Sequence, residues 1–174
     1  HVVMEVSSQA YKTKRVFGLT FDLGIFLNIS PDHISPIEHE TFEEYFLCKQ
    51  ELLLHSKKMV MNHASDYFEV LENLCQINHI PYLTYGGSAA DYPVIAMDDP
   101  RTFELKSSTD PLAINGDYAL TMFGHFNHEN AAAALLATAW LETPRNHMKE
   151  SLSKCVIPGR MTLFDLPNGA LAFV

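Results

Sequence analysis

Asn28, Ser30, Asp32 and His33 stand together at the end of an apolar run, and Lys49 follows in a helix-like segment. A carboxylate and an imidazole can hold a divalent cation, and the amide and hydroxyl can bind a phosphate. In an open α/β sheet, ligands bind beyond the carboxyl ends of the strands, where these residues fall. Glu38, His39 and Glu40 repeat the chemistry in a loop and are expected to be solvent-exposed. Arg15 is the best anion-binding candidate of a small basic group, because its planar fork suits phosphate and carboxylate; Lys12 and Lys14 read as a solvated loop. Asn127 and Asn130 lie three apart at the first turn of an alanine-rich helix. Either Asn127 caps that helix, or the two amides and the free helix N-terminus present donors and acceptors to a nucleotide base. Lys49 comes four residues after Tyr45 and three before Leu52. From periodicity alone it reads as a snorkelling surface lysine.

The elements that must position these residues alternate at first. Strands are expected over 1–6, 22–29, 58–62 and 80–85, the second of them buried on both faces. Thr41 with Glu44 forms a capping box for a helix to about His55. Ser65 or Asp66 is expected to cap a helix to about Asn78. Gly86-Gly87-Ser88 reads as a turn, since no lysine or helix start follows. Residues 93–122 predict short, antiparallel, peripheral strands at Val94–Met97, Thr102–Lys106 and Tyr118–Met122. A helix then runs to Glu142, another from Pro144 to about Lys154, and Pro158-Gly159-Arg160 breaks it. The end reads as a β-hairpin turned by Asn168-Gly169. The expected class is α/β: a mostly parallel sheet flanked by helices, with a small β-rich insert and a C-terminal hairpin.

The 174 residues suffice for one domain with a sizeable core, or one domain and part of another. A net charge of -9 argues against a nucleic-acid partner. Cys48, Cys75 and Cys155 are widely spaced, which suggests neither a zinc knuckle nor a disulfide framework and fits a reducing, cytoplasmic setting. No apolar run approaches the roughly 20 residues of a membrane span.

Met4-Glu5-Val6-Ser7-Ser8, Arg15, Phe26-Leu27-Asn28-Ile29-Ser30-Pro31-Asp32-His33, Lys49, Gly124-His125-Phe126-Asn127-His128-Glu129-Asn130-Ala131 and Gly159-Arg160-Met161 appear in an order that resembles the central domain of the Mur ligases. The similarity is greatest to the lysine-adding branch of Gram-positive bacteria. It implies an ATP-dependent ligase that joins L-lysine, or another diamino acid, to UDP-MurNAc-L-Ala-D-Glu through an acyl-phosphate in peptidoglycan precursor synthesis. It also implies roles. Glu5 and His33 would be Mg2+ ligands. Lys49 would be carbamylated, its anionic carbamate holding a second Mg2+, which reverses the surface-lysine reading. Ser7 and Arg15 would contact the UDP-MurNAc-dipeptide, Asn127 and Asn130 the adenine side of ATP, and Arg160 the ATP phosphates at the hinge to the next domain.

The resemblance divides the chain into a partial central ATP-binding domain, 1–156, and the start of the C-terminal ligase domain, 157–174. No G-x-x-x-x-G-K-[ST] phosphate loop occurs in these residues, so the chain reads as cut at both ends and inactive by itself. An exposed sheet edge left by such a cut would invite oligomerisation. Two alternatives accompany this reading: a folylpolyglutamate synthetase-like ligase fragment, and a degenerate, non-catalytic ligase domain acting as a binding module.

Overall fold

The computed structural model describes residues 1–31, 34–157, 163–165, 167–168 and 170–173. Two compact units divide the chain, His1–Leu83 and Thr84–Val174.

The first unit begins without regular structure. A short helix α1, Ser8–Lys12, follows, with Ser7 as its N-cap accepting from the Ala10 N–H at 3.3 Å. The expected strand over 1–6 is not formed: Val2 and Val3 are almost fully exposed. An apolar run becomes a strand only where a neighbour pairs its backbone groups, and none of the described pairings involves these residues. Strand β1, Gly24–Phe26, is shorter than the apolar run around it and pairs in parallel with β2, Met59–Asn62. Helix α2, Phe42–Leu54, connects them. Thr41 Oγ1 accepts from the Glu44 N–H at 3.2 Å, and the Glu44 carboxylate accepts from the Glu40 N–H at 2.9 Å. The second half of the capping box therefore closes one residue earlier than the motif requires.

Helix α3, Phe68–Ile77, places Phe68, Leu71 and Cys75 inward at helical spacing. Its start differs from expectation. Neither Ser65 nor Asp66 caps it; Tyr67, in the left-handed region at φ 60°, precedes the first turn, and the Ser65 hydroxyl donates to the Asp66 carbonyl instead. Phe26, Ile29, Tyr45, Leu53, Met59, Met61, Phe68, Leu71 and Cys75 form the core of this unit.

Strand β3, Tyr82–Gly86, begins in the first unit and ends in the second. Strand order is β1-β2-β3-β4-β5-β6, with β4 at Tyr92–Ala96, β5 at Thr102–Leu105 and β6 at Gly116–Ala119. Pairing is parallel for β3–β4 and antiparallel for β4–β5 and β5–β6. The antiparallel strands β5 and β6 belong to the second unit and stand last in the strand order, as expected of a peripheral β-rich segment. The parallel β3–β4 step is short, only two residue pairs, and is clamped by Asp91, which accepts from the Thr84 N–H and hydroxyl at 2.8 Å each.

Asp110 organises the loop between β5 and β6. Its carboxylate accepts from the Tyr92 hydroxyl at 3.1 Å, the Ile114 N–H at 2.8 Å and the Asn115 N–H at 3.0 Å. Asp110→Ala leaves these donors without their acceptor and is expected to lower unfolding stability by about 2 kcal/mol. Urea denaturation would show it as a lower midpoint, and an unchanged midpoint would contradict this role.

Helix α4, His125–Trp140, buries Ala131, Ala132, Ala133, Leu135, Leu136 and Ala137; helix α5, Arg145–Lys154, follows Pro144. A separate antiparallel pair, β7 at Leu163–Asp165 and β8 at Leu171–Phe173, forms the expected hairpin. Residues 158–162, which include the expected helix break, lie outside the described residues.

Candidate catalytic site

Lys49 projects from the second half of α2. Four residues earlier on the same face is the buried Tyr45, and the ammonium lies 5.7 Å from its ring centroid, within cation–π reach. The side chain is half-buried, so it is not the snorkelling surface lysine that periodicity alone suggested. Burial lowers its pKa from the usual lysine value, and the Glu5 carboxylate opposes that shift. Both effects follow from electrostatics: a poorly hydrated ammonium loses its proton more readily, and a nearby anion holds it.

Glu5 precedes α1 and is exposed. Ser7 is committed to capping α1. Arg15 is exposed in the turns after α1, with Nε donating to Thr13 Oγ1 at 3.1 Å. At the end of the β1 segment, Asn28 accepts from the buried Asn62 amide at 3.2 Å, and Asn62 in turn accepts from the Ala64 N–H at 2.9 Å. The first unit thus contains Glu5, Ser7, Arg15 and Lys49, with Glu5 near enough to oppose the loss of the Lys49 proton. Asp32, His33 and Arg160 fall outside the described residues. Among the described residues no three His, Cys, Asp or Glu side chains converge into a metal site. Mg2+ does not need such a cluster, since one or two carboxylates completed by water and substrate phosphates suffice. Glu5 together with an anionic Lys49 carbamate would fit that pattern.

Asn127 and Asn130 belong to the second unit. Asn127 is not the N-cap. Gly124, at φ 102°, holds that position without a side-chain bond, and Asn127 lies inside the first turn with its amide donating to the Phe123 carbonyl at 2.7 Å. Asn127 is buried and Asn130 exposed. His128 stacks on Phe103 at 5.2 Å, and burial lowers its pKa.

Sequence reasoning missed two features. The four-residue spacing of Tyr45 and Lys49 was visible, but not that the Tyr45 ring would lie beneath the ammonium. His39, expected in solvent, is fully buried. A tight turn places it there: the Ser35 N–H donates to the His39 carbonyl at 2.9 Å, and the Glu38 N–H donates to Ser35 Oγ at 3.2 Å. The Ser35-Pro36 pair was the available signal for that turn.

Comparison with known proteins gives the family. The family described as Mur ligase middle domain matches residues 1–138. Over its whole length the chain is 44% identical to a UDP-N-acetylmuramoyl-L-alanyl-D-glutamate--L-lysine ligase of Enterococcus faecalis, and covers 35% of that protein. It is 41% identical, again over its whole length, to a UDP-N-acetylmuramyl-tripeptide synthetase of Lactococcus lactis, covering 35% of it. A solved UDP-N-acetylmuramoyl-L-alanyl-D-glutamate--2,6-diaminopimelate ligase superposes with a TM-score of 0.78 at 26% identity, over 92% of this chain and 34% of that one. The chain therefore spans about a third of the length of these relatives. With the parallel β1–β2 pair, the helix that carries Lys49 and this coverage taken together, the chain belongs to the Mur ligase family, as part of its middle domain.

Proposed function

We propose that this chain is the central segment of an ATP-dependent ligase that adds L-lysine to UDP-MurNAc-L-Ala-D-Glu in the cytoplasm. The relatives' names supply the substrates, and the half-buried, less basic Lys49 beside Glu5 is the observation that carries the chemistry. A lysine shifted toward its neutral amine can attack carbon dioxide, losing a proton and becoming a carbamate. That exchanges a cation for an oxygen donor facing Glu5. Glu5, His33 and the Lys49 carbamate would hold Mg2+, whose positive charge favours phosphoryl transfer from ATP. Ser7 and Arg15 would orient the UDP-MurNAc-dipeptide, and Asn127, Asn130 and Arg160 would hold ATP. In the reaction, the substrate carboxylate attacks the γ-phosphorus and ADP leaves. The lysine amine then displaces phosphate from the acyl carbon and gives up a proton. Residues 1–156 would form the ATP-binding part and 157–174 the start of the ligase domain. The edge strand β1 is the surface through which copies could associate.

The decisive experiment follows the ligase containing this chain with UDP-MurNAc-L-Ala-D-Glu, L-lysine, ATP and Mg2+. One ADP should form per tripeptide, and the 174-residue chain alone should release none. Absence of tripeptide with lysine, or equal turnover by the isolated chain, would refute the reading.

A further inference from the structure

Ser8 Oγ lies 2.8 Å from His39 Nε2, and the His39 Nδ1 side faces Glu44 Oε2 at 3.9 Å. Serine, histidine and glutamate in this order are the components of an acyl-transfer triad, but the burial rules that chemistry out. Ser8 is 5% exposed and His39 0%, so no substrate carbonyl can reach the hydroxyl. The Nδ1–carboxylate separation also exceeds a hydrogen bond, and Nδ1 has no hydrogen-bond partner. The arrangement instead ties elements together. Ser8 is the first residue of α1, directly after Ser7 and three after Glu5; His39 stands just before Thr41, the N-cap of α2, the helix that carries Lys49. His39 also packs on Tyr45 at 5.4 Å between ring centroids, and Tyr45 is the ring beneath the Lys49 ammonium.

A second strap runs outside the first. Lys12 Nζ reaches Glu44 Oε1 and the Glu38 carbonyl at 2.8 Å each. Water screens this exposed pair, so it adds little rigidity. The buried bond is the one that resists displacement, because breaking it leaves two polar atoms unsatisfied away from water. The carboxylate on the Nδ1 side favours the tautomer with its proton on Nδ1, so that Nε2 accepts from the Ser8 hydroxyl.

We propose that His39 is a positioning residue: by accepting the Ser8 hydroxyl it fixes the turn that presents Glu5 and Ser7 against the helix that presents Lys49. The proposal rests on the ligase reading above. In the ligase containing this chain, Ser8→Ala removes one oxygen and His39→Phe keeps the ring packing on Tyr45. Each is expected to lower kcat/KM for the UDP-MurNAc-dipeptide by about tenfold or more. The double variant should be no worse than either single one, and His39→Gln, whose amide can turn either group toward Ser8, should recover most of the loss. Full activity in Ser8→Ala, or additive losses without rescue by glutamine, would overturn the proposal. Amide hydrogen exchange gives a readout independent of turnover. Both variants should speed exchange at the α1 amides and at Ser35–Glu40 together, and unchanged exchange would count against the bridge. An unaltered ligase that forms no tripeptide, with the exchange response present, would refute the functional reading and leave the bridge standing.

Discussion

Lys49→Ala is expected to lower ligase turnover by about a thousandfold, the scale of losing one preorganised electrostatic contact to a transferring group. The argument starts from burial. Burial makes Lys49 less basic, and in the proposed ligase it would act as a carbamate that helps to hold Mg2+. Alanine leaves a hole in which a small carboxylate could sit, so acetate or propionate should restore part of the rate. Lys49→Arg, which fills the space with a permanent cation, should be equally inactive and should not respond to either acid. Isotopically labelled bicarbonate should give a carbamate signal that Lys49→Ala lacks. Normal turnover by Lys49→Ala would remove Lys49 from the mechanism.

The largest effect on stability is expected at Leu53. It is fully buried in the first unit's core, on the helix that carries Lys49. Leu53→Ala should reduce unfolding free energy by about 4 kcal/mol, combining lost transfer energy with an incompletely filled cavity. Domains of this size are stable by only about 5–15 kcal/mol, so one substitution would consume a large fraction of the margin. Leu54, the next residue, is 46% exposed, and Leu54→Ala should change stability by only about 0.5 kcal/mol. Urea titration of the pair checks the facing of α2, and equal losses at both positions would contradict it.

Much of the fold could be read in the chain because its signals are local. The α2 start at Thr41, the inward spacing of Phe68, Leu71 and Cys75, and the apolar run of β2 need no distant partner to be recognised. Other features depend on neighbours that sequence does not identify. The apolar run over 1–6 lacks a ladder here, so periodicity alone misread it. Helix α1 is too short for a helical period to emerge. The antiparallel strands were recognised, but the parallel β3–β4 pairing was not, since Asp91 and Thr84 clamp it by side-chain bonding. The candidate site divides in the same way. Glu5, Ser7 and Lys49 became candidates only through the family resemblance, and Arg15 also through the chemistry of its side chain. The burial that alters Lys49 and the contact between His39 and Ser8 arise only when separate segments pack.

Among the described residues, the strands of the six-stranded sheet follow one another in the order in which they are made. Each new strand therefore meets its partner after one helix or one loop, without waiting for a distant segment. Short closures carry a small entropic penalty and favour rapid assembly. A chain of this kind can add strands progressively as it leaves the ribosome, so that the growing edge of the sheet stays unpaired only until the next strand arrives.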